Sequence, residues 1–450
     1  MLLNSLFFIF AFLPVVLLVY YLIPGIWRNW FLLAAGLVFY AWGDPVYLVL
    51  LMFSTVLHYG MGKRMGRREE KEKRRGDMIF TVTADIFVLC FFKYWEKVTG
   101  QELPLPIGLS FYTFKNISYV LDVYRGDTAA EEDFAAFSAY AVLFPTMTAG
   151  PIVRYGDLKA QLHRRFVNAG QMGRGAARFL TGLGKKVLIS DSLAVLYGQI
   201  QGAGDDISML TAWIGIAAFT LQIYFDFSGY SDMAIGIGRM LGFTLKENFE
   251  YPYTAGSVTE FWRRWHISLG SWFRDYVYIP LGGNRVGKAK HIRNILTVWA
   301  LTGIWHGATA NFLIWGLYYG IFLLLEKYVL KDVLLKAPKP LAHIWTMLIV
   351  IAGWVFFSHD SLADGIRYLG CMAGVGVTRI ADTAAFYYLK TNAVLFLICI
   401  AASGPWLKRQ ADKLLVKSMT LTVLAYGILF LLCIAGLVYS SYHPFLYLRF

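Results

Sequence analysis

Charge is the scarcest commodity in this sequence. Only 16% of its 450 residues are Asp, Glu, Lys or Arg, where a soluble domain carries nearer to about 25%. Cysteine is almost as thin. Cys90, Cys371, Cys399 and Cys433 stand alone, with no C-x-x-C pair among them, which argues against thiolate-metal and dithiol chemistry and leaves inert thiols in apolar segments. Also missing are H-E-x-x-H, a close carboxylate–histidine cluster, G-x-S-x-G, and any Walker or dinucleotide fingerprint in a suitable context. Metal-dependent hydrolysis, serine-hydrolase chemistry and nucleotide binding of the common kinds lack their signatures. No internal repeat or low-complexity linker divides the chain, which reads as one membrane domain over residues 1–450.

What is present is hydrocarbon. The chain is 57% hydrophobic and 17% aromatic, its mean hydropathy is +0.51, and its charges cluster between apolar runs near the ~20 residues a bilayer demands. Candidate spans cover 2–22, 29–42, 45–60, 78–95, 135–150, 176–199, 209–225, 294–328, 341–358, 386–402 and 419–440. Shorter pieces around 106–123, 229–243, 262–279 and 362–378 read as interfacial or re-entrant. The expectation is an all-α polytopic protein with about eleven crossings. Residues 2–22 lack a basic leader and a small-x-small site, so they read as a retained span and not a signal peptide.

The net charge of +13 gathers in loops, as topology and anionic lipid headgroups require, and no nucleic-acid motif accompanies it. Residues 61–76 hold eight Lys/Arg against three Glu, which marks a cytoplasmic loop. Basic stretches at Arg154–Lys186, Arg263–Arg293, Lys327–Lys339 and Lys408–Lys417 repeat the signal. If all are cytoplasmic, some pieces between them enter the membrane and return.

Two segments carry the polar chemistry, together spanning 257–310. In the first, Ser257 and Glu260 stand at capping-box spacing, so a helix is expected to begin there. Trp262, Trp265, His266, Leu269 and Phe273 then fall on one stripe, with Arg263, Arg264 and Asp275 off it. An amphipathic surface helix would account for the Trp/Arg belt; a histidine on the aromatic face favours function. In the second, His306 stands within an apolar run. A helix from Arg293 would lift its imidazole roughly 20 Å, well into a hydrocarbon core, where ionisable groups usually face a cavity or pathway. Gly303 and Gly307 flank it, and a break near Gly307–Asn311 is expected because the run is too long for one span. A histidine that only satisfies a neighbouring helix is the plainer alternative.

A third polar segment, Gln222–Gly236, places Asp226 and Asp232 in apolar surroundings, where each needs a partner. It reads as a satisfied helix break at Ser228-Gly229 more readily than as a chamber wall. Phe144–Arg154 is a similar broken, small-residue segment. His58, His163, His291, His343, His359 and His443 lie near loops or span ends, where solvated or capping roles suffice.

Together, Phe144–Arg154 (FPTMTAGPIVR), Gln222–Gly236, Phe261–Gly283 (FWRRWHISLGSWFRDYVYIPLGG), Gly303–Ala308 (GIWHGA) and Pro444–Phe450 (PFLYLRF) resemble the membrane-bound O-acyltransferase family. The likeness is strongest to its bacterial polysaccharide branch, the alginate O-acetyltransferase type. The resemblance implies a helical membrane fold with a funnel at paired histidines. His306 matches the family's catalytic histidine and His266 its second. Trp305, Trp265, Arg264, Arg274, Asp275 and Asp226 are then candidate substrate-binding residues.

It further implies no bound cofactor, an acyl thioester such as acetyl-CoA as donor substrate, and a location in the cell membrane. The acceptor is a polysaccharide, reached through an extracytoplasmic SGNH-hydrolase-like partner. A thioester already has a good leaving group, so the enzyme's task is to activate an alcohol. A neutral imidazole suits that task near neutral pH, with His306 as base and His266 assisting. A covalent acyl-histidine route uses the same residues. Ile279–Asn284 also fits a cousin that transfers D-alanyl groups to teichoic acid from a carrier protein. Outside enzymes, a transporter or scaffold of the same fold is the rival.

Overall fold

The computed structural model describes residues 1–204, 207–307, 309–415, 417–439 and 445. Ala308 and most of the 444–450 motif therefore lie outside the described residues, as does His443. The architecture is helical, with no strand among the described residues. Five helices are long and apolar enough to cross a bilayer by length and composition: Lys71–Thr99, Met209–Met240, Lys339–Ser358, Thr383–Ala402 and Met419–Tyr439. These five stand against the eleven or so crossings expected.

The residues group into two compact units. Among the described residues, the first comprises 1–183, 230–247 and 445, and the second 184–229 and 248–439. In the first, the basic stretch 61–76 is largely helical. Helices Leu48–Arg67 and Lys71–Thr99 are separated only by residues 68–70, because Lys and Arg are good helix formers. Two histidines of this unit are held by carboxylates, His58 in the interior and His163 at the exposed surface. His58 is fully buried, with Nε2 2.8 Å from Asp85 and Nδ1 2.7 Å from the Ser54 carbonyl. His163 reaches Glu131 at 2.9 Å, and Glu131 also accepts from the Tyr155 hydroxyl.

The expected break at Ser228-Gly229 does not occur. Met209–Met240 runs unbroken through it for 32 residues. Ser228 and Gly229 are buried there, so water does not compete for the helical hydrogen bonds and propensity yields to packing.

In the second unit the organising element is a hairpin. Helix Lys288–His306 ends at His306 and helix Ala310–Tyr328 begins four residues later, so the break expected at Gly307–Asn311 is present. The two limbs pack antiparallel through glycine. A Cβ on Gly303 would strike the Phe312 carbonyl, one on Gly316 the Trp299 carbonyl, and one on Gly320 would lie 3.2 Å from the Trp299 side chain. Backbones approach this closely only where side chains are absent, and dispersion between them then replaces the hydrophobic drive that lipid removes. Each limb has 19 residues, roughly 28 Å of helix.

Candidate active site

Ser257 caps helix Val258–Arg264 as its spacing suggested, its hydroxyl accepting from the Glu260 N–H at 3.0 Å. The Glu260 carboxylate reaches back to the Gly256 N–H at 2.8 Å. The same helix start is capped a second time, by a residue the sequence did not single out. Glu326, buried near the end of the second hairpin limb, accepts from the N–H groups of Val258 and Thr259 at 2.6 and 2.8 Å and from the Thr259 hydroxyl at 2.7 Å. A carboxylate placed on the orphan donors of a helix N-terminus is hydrogen-bonded and dipole-matched at once. The limb that follows His306 thereby grips the helix that leads to His266.

The expected single helix through His266 is instead two. Helix Val258–Arg264 stops, Trp265 is extended, His266 takes φ 44° and ψ 54°, and helix Ile267–Phe273 follows. A left-handed backbone on a non-glycine residue costs of order 1–3 kcal/mol and persists only where its surroundings enforce it. Asn248 does so. Its carbonyl accepts from the Ile267 N–H at 3.0 Å, and its side-chain Oδ1 meets Ser268 N at 3.2 Å, Ser268 Oγ at 2.9 Å and His266 Nδ1 at 3.2 Å. Periodicity cannot register this clamp, since Asn248 lies 18 residues upstream in irregular chain. The predicted stripe nonetheless survives as burial. Trp265, His266, Leu269 and Phe273 are inside, while Arg263 is exposed.

His266 is 3% exposed and presents its ring edge-on to Phe227 at 4.6 Å. Burial alone pushes its pKa down to about 3, so the imidazole is uncharged at neutral pH. His306, 4% exposed at the hairpin tip, lies in an aromatic nest of Trp305 at 4.6 Å, Trp315 at 5.0 Å and Phe357 at 5.2 Å. A continuous aromatic path joins the two histidine segments, from His306 through Trp315 and Trp354 to Trp265, then through Phe249 and Phe227 to His266. Such a wall surrounds both imidazoles with apolar surface. Two hydrogen-bonding groups, the Trp315 indole N–H and the Asn311 side-chain oxygen, are buried beside the tip with no acceptor or donor among the described protein atoms.

The other candidate residues divide. Trp305 and Trp265 belong to the aromatic nest and path. Arg264 pairs with Glu260 at 2.5 Å and with the Thr254 hydroxyl at 2.9 Å. Arg274 is exposed and bonds its neighbour Asp275 at 2.7 and 3.1 Å. Asp226 is held in a buried ion cluster, its Oδ1 2.7 Å from Lys186 Nζ, which also lies 2.8 Å from Asp191. Taking a lysine out of water costs several kcal/mol unless carboxylates surround it, which accounts for both acids. In the sequence Lys186 reads only as the end of a basic stretch, whereas it is buried with its two acids; a charge inside the apolar 176–199 run is itself a signal.

His291 is also buried, within 2.9 Å of the Tyr278 hydroxyl and 2.8 Å of both Lys327 Nζ and the Tyr328 hydroxyl, instead of solvated. Away from the nest, a cavity of about 340 Å³ is lined by Gln201, His359, Asp360, Asp364, Arg367 and Tyr368 among others. It adjoins the hairpin tip through the Asn311 amide, which donates to the His359 carbonyl at 2.6 Å.

The chain thus has two inward histidines, one strained and clamped and one at a glycine-closed hairpin tip, in a helical protein with membrane-length segments. The chain belongs to the membrane-bound O-acyltransferase family, whose model matches residues 131–363 and so includes His266 and His306; it is an O-acyltransferase of the membrane. It is 41% identical over 401 residues to the probable alginate O-acetylase of Azotobacter vinelandii, covering 85% of this chain and 80% of that one. It is 31% identical over 459 residues to the peptidoglycan O-acetyltransferase of Helicobacter pylori, covering 91% and 87%. To the teichoic acid D-alanyltransferase of Bacillus subtilis it is 26% identical over 281 residues, covering 56% and 69%.

Proposed function

We propose that the protein takes an acetyl group from a cytosolic thioester, acetyl-CoA, and passes it toward hydroxyls of an exported cell-surface polysaccharide. In this reading His306 is the general base. Its ring accepts the proton of the attacking hydroxyl as the new C–O bond forms, the C–S bond breaks, and the thiolate leaves to be reprotonated by solvent. His266 assists at the carbonyl. The observation that carries the reading is the location of His306: a buried imidazole at the tip of a hairpin, ringed by aromatic side chains.

The likeness to alginate and peptidoglycan O-acetylating proteins supports acetyl over D-alanyl, since both exceed the teichoic acid relative in identity and coverage. An extracytoplasmic SGNH-hydrolase-like partner would carry the group onward to the glycan. The protein would span the inner or plasma membrane many times. Counting the two hairpin limbs and the shorter apolar helices beside the five long ones approaches the eleven or so crossings expected.

Release of free coenzyme A from acetyl-CoA by the detergent-purified protein tests the assignment. In His306→Ala it should fall by at least ~100-fold, the usual worth of a general base, with yield and membrane insertion unchanged. Wild-type turnover in that variant would refute the role. Turnover that appears only with an acyl carrier protein would transfer the reading to the D-alanyl branch.

A further inference from the structure

We infer that Asn248 is a positioning residue that fixes which nitrogen of His266 carries the proton, leaving Nε2 as the lone-pair atom that faces the chemistry. The inference rests on the reading that His266 takes part in acyl transfer, and it adds a residue to that site.

The argument begins with the amide's orientation. Oxygen and nitrogen of an asparagine side chain are alike in size, so only the surrounding donors and acceptors distinguish them. Here a backbone settles it. Ser268 N–H can only donate, and it points at the Asn248 side chain at 3.2 Å, so the atom it meets is Oδ1. That same oxygen lies 3.2 Å from His266 Nδ1. An amide oxygen only accepts, so Nδ1 must be the protonated nitrogen; a bare Nδ1 would set lone pair against lone pair.

Ser268 Oγ does not offer an alternative. At 2.9 Å from Oδ1 it spends its hydrogen there and can only accept from Nδ1, which it approaches at 3.5 Å. In a neutral ring, one protonated nitrogen leaves the other basic. Both of these contacts at Nδ1 therefore select the tautomer in which Nε2 holds the lone pair.

The clamp acts on the backbone as well. The Asn248 carbonyl takes the Ile267 N–H at 3.0 Å, so a single residue holds both the ring of the left-handed His266 and the backbone that follows it. The ring is thus fixed in orientation as well as tautomer. Charged groups on the packed elements are engaged elsewhere: Asp226, next to Phe227 on the long helix, with Lys186, and Arg264 on the preceding helix with Glu260. A neutral acceptor at 248 consequently orients the imidazole without drawing a second proton onto it.

The test compares two substitutions of similar size in the full-length protein in detergent, with release of coenzyme A from acetyl-CoA followed across pH. Asn248→Leu removes the acceptor and is expected to lose about 100-fold at every pH. Asn248→Asp retains an acceptor but adds a charge that stabilises the imidazolium. It should recover most of the rate at alkaline pH, with an acid limb that is steeper or lies at higher pH than the wild-type limb.

Recovery with that altered limb supports the assignment even if Asn248→Leu fails to fold, which a thermal melt will show. Wild-type rates in Asn248→Leu, or an Asn248→Asp profile parallel to wild type at uniformly reduced rate, would overturn it as merely structural. His266→Ala run alongside keeps the two readings apart. If that variant turns over normally, the role of His266 itself has failed, whatever Asn248 does.

Discussion

At the scale of single residues, the site is built by satisfying awkward groups with one another. Glu326 is the clearest case. Its carboxylate is buried, and three donors from Val258 and Thr259 hold it. Glu326→Ala strands the two N–H groups in the interior, at about 1–3 kcal/mol for each group left unmatched. A lower thermal midpoint in detergent is expected, together with reduced turnover, because the helix leading to His266 loses its anchor. Glu326→Gln, which keeps one acceptor oxygen, should fall between the two. Identical melts for Ala and wild type would count against the cap.

His266 makes a separate prediction in pH. Its folded pKa is depressed to about 3 from an ordinary value near 6.5, so between those limits the unfolded chain binds a proton that the native one does not. Stability should therefore rise with pH across roughly 3 to 6.5 and be independent of this group above that. Melts of wild type and His266→Gln between pH 5 and 7 would check it, the slope from this group being absent in the variant.

At the scale of elements, the hairpin matters most. Gly303 and Gly316 are the positions where the limbs touch backbone to backbone. Gly303→Val has no room for its side chain and should part the limbs, costing at least the ~1–3 kcal/mol of core overpacking and moving His306 out of its aromatic nest. Gly60→Val, on a helix with open space around it, is the control and should be nearly silent. Loss of coenzyme A release in the first but not the second checks the prediction.

This hairpin was half legible in the sequence. The apolar run was plainly too long for one span, and glycines around a histidine advertised close approach. Which residue would meet which glycine was not readable, because packing partners lie on the other limb. The His266 segment was legible in what it buries and illegible in its backbone. Periodicity reports a stripe but cannot see a left-handed residue held by an asparagine 18 positions away. The roles of Lys186 and Glu326 were not readable for a related reason: a charge at or inside the edge of an apolar run looks like a boundary until its partner is known.

At the scale of the whole molecule, charge distribution implies which end of the second unit faces the cytosol. The helix ends near 288–293, 327–339 and 408–417 are rich in Lys and Arg. At the opposite ends, around the Gln201–Arg367 cavity beside the hairpin tip, Asp360 and Asp364 outnumber Arg367. Short basic segments are retained in the cytoplasm, so a thioester made in the cytosol would approach from the basic end and an exported acceptor from the other. The positions to test, both in this unit and both exposed, are Asp332, in the short helix Lys331–Lys336, and Ser361, just past the end of helix Lys339–Ser358.

Cys90 is the exposed native thiol among the four, the others being buried, so it should first be changed to serine. In that background, Asp332→Cys should react with a membrane-impermeant maleimide only in inverted vesicles, and Ser361→Cys only in intact cells. Reaction of both from the same face would mean that the basic and acidic ends share a compartment. The hairpin tip would then lack a second side to serve, and donor and acceptor would have to reach His306 from the same pool.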